Sequence, residues 1–118
     1  MRGLLMATPQ LTPEQQEELQ RFNQLVQQLE VIRLNLQQLE LEKRDIENAL
    51  KESKDFDSDT VIYRSAGRLL FQSNTEDVKK YLTEQKESVE VRISSLSNRE
   101  KKLVSSVKEL QEKLLGKP

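Results

Sequence analysis

Three aspartates, Asp55, Asp57 and Asp59, are the residues whose type and spacing come nearest to a site for chemistry. Carboxylates at alternate positions are typical of a calcium-binding loop, but that loop also needs a central glycine and a distal bidentate glutamate, and neither follows here. Aspartate side chains also bond to nearby backbone groups and favour turns. We therefore interpret the cluster as a solvated turn and not as a metal site.

The composition excludes most other chemistry. The 118 residues include no cysteine and no histidine, which removes disulfides, thiolate nucleophiles and near-neutral bases. The sequence also has no glycine-rich phosphate loop and no nucleophile elbow, so we expect neither an enzyme nor a bound cofactor or metal. With 19 Lys and Arg against 20 Asp and Glu, a nucleic acid or membrane partner is not expected either. The first apolar run is too short for a signal peptide or a membrane span, which predicts a cytoplasmic protein.

A first long helix is predicted over residues 12–53. Thr12 can cap it, Pro13 suits its first position, and Gln15 completes a capping box. Residues spaced by three and four then form one seam, which is apolar except at Lys43. The seam consists of Phe22, Leu25, Leu29, Ile32, Leu36, Leu39, Lys43, Ile46 and Leu50.

A β-hairpin is predicted over residues 60–72, with strands at 60–65 and 68–72 joined at Ala66-Gly67. Glycine supplies the left-handed conformation that a short hairpin loop needs. Alternation predicts that Val61 and Tyr63 share a face with Leu69 and Phe71. Ile62 and Leu70 leave the other face partly apolar as well.

A second long helix is predicted over residues 74–115, opened by a capping box from Ser73 to Glu76. Its seam has the same spacing and is interrupted by Lys86 and Glu100. We interpret Lys43, Lys86 and Glu100 as residues that set register or partner choice. The seam consists of Leu82, Lys86, Val89, Ile93, Leu96, Glu100, Leu103, Val107, Leu110 and Leu114.

These elements predict a mainly α fold: a long antiparallel two-helix coiled coil with a single β-hairpin at its closed end. The chain, 1–118, forms one domain with a flexible start at 1–11. Leu36 should lie near Leu96. Because an isolated hairpin is marginal in water and its edges recruit further strands, we expect the hairpins of several subunits to close a shared sheet or barrel.

The opposite end of the coiled coil is predicted to hold apolar groups that have no obvious internal partner. Leu4, Leu5, Met6 and Leu11 precede the first helix, and Leu114 and Leu115 end the second. Flexible apolar surfaces suit weak, promiscuous binding, although ordinary frayed ends would have the same composition.

The order of elements resembles the β class of prefoldin subunits over about residues 14–115. The specific part is the run VIYRSAGRLLF at 61–71, followed by a capped helix with VRI at 91–93 and REKKL at 99–103. The single hairpin differs from the α class, which has two.

The resemblance implies a subunit of an ATP-independent holdase chaperone. In that family two α-class and four β-class subunits form a hexamer with a double β-barrel, and the arm tips hold non-native chains and pass them to a group II chaperonin. Barrel contacts would fall on Val61, Ile62, Tyr63, Gly67, Leu69, Leu70 and Phe71. Substrate-binding tips would consist of Leu11, Leu19, Phe22, Leu110, Leu114 and Leu115.

A passive coiled-coil scaffold or tether is the alternative function that the sequence leaves open. Such a protein shares the two helices but does not need a barrel-forming hairpin. It would bind one specific partner instead of many unfolded chains.

Overall fold

The computed structural model describes residues 10–57 and 59–116. Helix α1 spans Pro13–Glu52 and helix α2 spans Thr75–Leu114, each with 40 residues. Between them lie a short 3₁₀ turn, Ser53–Asp55, and the strands β1, Ile62–Ala66, and β2, Leu69–Ser73. The predicted order of helix, hairpin and helix is confirmed. None of the helices in the described part of the chain is long and apolar enough to cross a membrane.

Helix α1 begins with the capping box expected from the sequence. The Gln15 backbone N–H donates to the Thr12 hydroxyl over 3.0 Å, and the Thr12 backbone N–H donates to the Gln15 side-chain oxygen over 2.9 Å. Two of the backbone donors at this helix end are thus satisfied by side chains.

Helix α2 is capped one residue later than the predicted box from Ser73 to Glu76. The cap is Asn74, whose side-chain oxygen accepts the Asp77 backbone N–H at 2.8 Å, while its amide nitrogen donates to the Asp77 carboxylate at 2.9 Å. Asparagine caps helices as well as serine does, so three adjacent cap-forming residues made this choice ambiguous.

One compact unit combines residues 10–33 of the N-terminal side with residues 98–116 of the C-terminal side. Leu29, Ile32 and Leu110 are its buried apolar residues among those described. All three belong to the predicted seams. Helical spacing alone therefore identified the side chains that pack between the helices here.

A second compact unit comprises residues 34–97, with the remaining parts of both helices and the hairpin. Leu39 and Val89 are its buried apolar side chains, and Val89 is only 2% exposed. Lys43 and Lys86, which interrupt the seams, are half-buried. Their long aliphatic stems can pack against the seam while the ammonium groups reach water.

Ion pairs between α1 and α2 support the expected antiparallel register. In an antiparallel pair of helices, facing residues have residue numbers whose sum is nearly constant along the pair. The ion pairs have almost the same sum as Leu36 and Leu96, which are predicted to face each other. Among the described residues these pairs are Glu18 with Lys113 at 3.0 Å, Arg33 with Glu100 at 3.1 Å, and Glu47 with Lys86 at 3.8 Å. Lys86 and Glu100 thus make inter-helix ion pairs, as a role in setting register requires.

The hairpin differs from the prediction by a shift of one residue in its turn. Gly67 and Arg68 form the loop, not Ala66 and Gly67, and Gly67 has a φ of 61°. Glycine at the first loop position with positive φ is the requirement of a type II′ turn, whose twist matches that of the strands. Ala66 is instead the last residue of β1 and lies opposite Leu69.

This shift changes which side chains share a face of the sheet. Tyr63 lies opposite Gln72, and Arg64 lies opposite Phe71. Directly opposed residues point to the same side of the sheet, so Tyr63 shares its face with Gln72. Leu70 lies two positions from Gln72 on the same strand and therefore points to that face as well. The predicted grouping of Tyr63 with Phe71 is therefore wrong.

The segment between α1 and β1 is tied to the start of α2. The Thr75 hydroxyl donates to the Asp57 backbone oxygen at 2.8 Å, and Thr75 is 7% exposed. Ser53, which is 2% exposed, donates its hydroxyl to the Leu50 backbone oxygen. These buried polar side chains have partners, so they stabilise the turn without an unsatisfied group.

Candidate functional site

The hairpin surface consists of the exposed apolar side chains on and beside β1 and β2. Its members Val61, Tyr63, Leu69, Leu70 and Phe71 are between 50% and 72% exposed. Ile62, which was predicted with them, is half-buried, and Gly67 forms the turn. Large apolar side chains exposed this densely are typical of a surface that binds another protein.

The hairpin surface has two faces. The outer face holds Tyr63 and Leu70, and alternation adds Val61. The inner face holds Arg64 with Leu69 and Phe71. Both faces are apolar and exposed. A partner that packed against only one of them would leave the other in water.

The two strands form a sheet with no further strand beside it in the described part of the chain. The outer edges of β1 and β2 therefore present backbone N–H and C=O groups without a strand partner. Such edges pair readily with strands of other chains. A two-stranded hairpin is also marginally stable alone, so additional strands would stabilise it.

Arg64 is a hairpin residue whose contact was not anticipated from the sequence. Its guanidinium carbon lies 3.6 Å from the centre of the Tyr81 ring in α2. A guanidinium over an aromatic face is a cation–π contact. The sign of such a role was a charged residue in the middle of a mostly apolar strand.

The tip set consists of the six residues predicted to bind substrate, and they differ in accessibility. Leu11, Leu19 and Leu115 are 43%, 40% and 63% exposed. Phe22 and Leu114 are half-buried. The sixth member, Leu110, is 8% exposed and packs in the seam, so it supports the helices and offers little surface. The predicted Leu4, Leu5 and Met6 lie outside the described residues.

An ion pair lies beside the tip set. Lys113 donates to Glu18 over 3.0 Å, and this hydrogen bond, followed by the charge of Glu18, raises the pKa of Lys113 above its ordinary value. The Lys113 side chain is largely in water. The contact therefore contributes little to the stability of the protein.

Exposed apolar side chains also occur along the helices, away from both predicted surfaces. Val31, Leu34 and Leu41 in α1 are 52% to 61% exposed, and Val91 in α2 is 69% exposed. They fall outside the two seams, so helical spacing did not predict a role for them. Exposure alone therefore does not distinguish the tip set from the rest of the surface.

The aspartate cluster is used in a turn. The Asp57 carboxylate accepts the Asp59 backbone N–H at 2.9 Å and the Thr60 hydroxyl at 3.0 Å. Within residues 10–57 and 59–116, no three acidic side chains come close enough together to hold a metal ion.

Comparison with known proteins identifies a family over nearly the whole chain. The family model described as prefoldin subunit matches residues 16–117. The prefoldin subunit beta of Archaeoglobus fulgidus is 39% identical over 105 residues, which cover 89% of this chain and 90% of the relative. That of Sulfolobus acidocaldarius is 36% identical, covering 91% and 86%.

Solved structures agree with these relatives. The crystal structure of the prefoldin beta subunit from Thermococcus strain KS-1 is similar to this chain with a TM-score of 0.83 and 28% identity. The similarity covers 92% of this chain and 96% of that one. The beta2 subunit from the same strain has a TM-score of 0.70 at 25% identity, with 78% and 98% covered.

Proposed function

Because this chain belongs to the prefoldin family and matches its β-class subunits, we propose that it is an ATP-independent holdase. Prefoldins are chaperones, so the chain is a chaperone subunit. As a holdase it would bind non-native polypeptides and prevent their aggregation. The observation that supports this most is the match over residues 16–117, which includes both compact units, and we propose that the two units work as one domain.

The hairpin surface is the proposed site of assembly. Its apolar side chains and open strand edges are suited to pairing with hairpins of other subunits, which would close a barrel and leave no edge exposed. The partners would be further copies of this chain and α-class prefoldin subunits, in a hexamer of four and two. Each hairpin would then be stabilised by its neighbours.

The tip set is the proposed site for non-native chains. Leu11, Leu19 and Leu115 offer apolar surface near the ends of the two helices, and leucine side chains adapt to many partners. Contacts of this kind are weak, so a bound chain could be released to a group II chaperonin without nucleotide. We place this activity in the cytoplasm.

The assembly proposal is tested by replacing Leu69 and Phe71 with serine. Both side chains are at least half exposed, so helicity measured by circular dichroism should stay unchanged. The native mass of the complex with an α-class subunit should fall. The matched control replaces Val31 and Leu34 with serine as well. These two side chains have similar exposure but lie on α1, so the control should keep the full mass. A full mass for the Leu69 and Phe71 variant would contradict the proposal.

The capture proposal is tested by light scattering. A denatured, unrelated protein is diluted into buffer without ATP in the presence of this chain, co-assembled with an α-class subunit. Replacing Leu11, Leu19 and Leu115 with serine should abolish the suppression of scattering. The control triple variant carries serine at Val31, Leu34 and Leu41, which have similar exposure. Equal loss in both triple variants would mean that binding is spread over the helices.

Trimming the chain to residues 18–109 removes four members of the tip set and keeps Leu19 and Phe22. The four that are lost are Leu11, Leu110, Leu114 and Leu115. The trimmed chain should still assemble through its hairpin but should no longer suppress scattering. An intact assembly of the full chain that never suppresses scattering would favour the scaffold function instead.

A further inference from the structure

A cation–π contact joins the hairpin to α2. The guanidinium carbon of Arg64 is 3.6 Å from the centre of the Tyr81 ring. Tyr81 is half-buried in the second turn of α2, and Arg64 is exposed. The ring therefore belongs to a helix, whereas the cation belongs to a strand of the hairpin.

The stack selects one face of the hairpin. Arg64 lies opposite Phe71, so the face that carries both residues is turned toward α2. Tyr63 and Leu70 lie on the opposite face and therefore point away from the Tyr81 ring. Contact with Tyr81 thus determines which face of the hairpin lies toward α2, while exposed apolar side chains remain on both faces.

Charged side chains of α2 line this position. Asp77, Glu84 and the basic Lys80 share the groove with Arg64 and Tyr81. The Asp77 carboxylate already accepts a hydrogen bond from Asn74, so the aromatic ring is the close attraction for the guanidinium. A neutral side chain of similar length would fill the space but would lack this attraction.

We propose that Arg64 and Tyr81 are positioning residues that hold the hairpin at the angle needed for pairing with other subunits. This inference rests on the proposed function, since it assumes assembly through the hairpin. In the free chain the stack would keep the hairpin close to its assembled orientation. Binding then loses less conformational freedom, and the complex is tighter.

The test measures the chain concentration at which the complex with an α-class prefoldin subunit half-dissociates, by native mass spectrometry over a dilution series. Arg64→Met and Tyr81→Leu should each raise this concentration about threefold to tenfold, as expected for the loss of one cation–π contact. The double variant should be no weaker than either single variant. Tyr81→Phe keeps the aromatic face and should remain close to the unmodified protein.

The matched control is Arg68→Met, the same substitution at the arginine of the hairpin turn. It should leave dissociation unchanged. The inference is overturned if Arg64→Met behaves like Arg68→Met, if the effects of Arg64→Met and Tyr81→Leu multiply, or if Tyr81→Phe is as weak as Tyr81→Leu.

A second measurement does not depend on assembly. In the free chain, Arg64→Met, which leaves the Tyr81 ring in place, should shift the NMR amide signals of both β1 and β2, whereas Arg68→Met should shift only those of the turn. Hairpin signals that respond equally to Arg64→Met and Arg68→Met would overturn the positioning role. A chain that shows the shifts but never joins an α-class subunit would instead contradict the proposed function.

Discussion

Replacing Val89 with alanine removes two methyl groups from the most deeply buried apolar side chain described in the protein, which is 2% exposed. Losing their burial costs about 1.6 kcal/mol at roughly 0.8 kcal/mol per methyl group, and the remaining cavity adds to this. Alanine favours a helix over valine by about 0.6 kcal/mol, which offsets part of the loss. We expect the free energy of unfolding to fall by about 1.5–2 kcal/mol.

Val91 provides the control, because it lies two positions along the same helix but is 69% exposed. Because about a third of the Val91 side chain is buried, Val91→Ala should lose only about 0.5 kcal/mol of burial free energy. The gain in helix propensity cancels this loss. Val91→Ala should therefore leave stability nearly unchanged. The difference between the two variants isolates burial, since the propensity term is common to both.

Urea unfolding followed by circular dichroism would measure both variants. All samples need the same chain concentration, because the stability of an assembling protein depends on it. Equal effects at Val89 and Val91, or an effect below about 0.5 kcal/mol at Val89, would refute the packing described for the seam.

Three further predictions concern polar contacts. Thr12→Ala should cost about 1 kcal/mol of helix stability, seen as faster amide exchange in the first turn of α1 but not in its middle. Lys86→Glu should lower the melting temperature by placing like charges together, and Glu47→Lys in the same chain should restore part of the loss; no recovery would mean that the ion pair is incidental. Lys113→Gln should lower the melting temperature slightly at neutral pH. Glu18 raises the pKa of Lys113 in the folded state, so the ion pair contributes its full stability below the ordinary lysine pKa. This stability is lost as pH rises through the raised pKa. The melting temperatures of the Lys113→Gln variant and the unmodified protein should therefore converge in strong alkali.

The seams were predictable because one property, helical spacing, determines both the pattern and the burial. Leu29, Ile32 and Leu39 were placed in the seam from spacing alone, and all three are buried. Polar members were predictable for the same reason, since Lys86 and Glu100 occupy seam positions and reach partners across it. The hairpin between the helices followed from different signs, namely the β-branched and aromatic residues at 60–72 and the glycine of the turn.

Local choices among similar residues were not predictable. From the sequence, Gly67 could be the first or the second residue of a two-residue loop. The pairing of Ala66 with Leu69 shows that Gly67 is the first and Arg68 the second, and Gly67 has the positive φ of 61° that this position needs. The choice matters because a shift of one residue exchanges the two faces of a strand. The sequence shows Arg64 as a charged residue within a strand, but it gives no sign that the distant Tyr81 is its partner.

The two helices are joined to the hairpin very differently. A single residue, Asn74, separates β2 from α2, whereas the longer stretch 53–61 separates α1 from β1. Inserting one residue at Asn74 would rotate the α2 seam by about 100° relative to the strands, since a helix has about 3.6 residues per turn. An insertion in 53–61 could bulge outward without turning either helix. Changes in chain length should therefore be tolerated between α1 and β1. Between β2 and α2 the length of the connection is fixed, because any change would turn the seam of α2 away from its packed position.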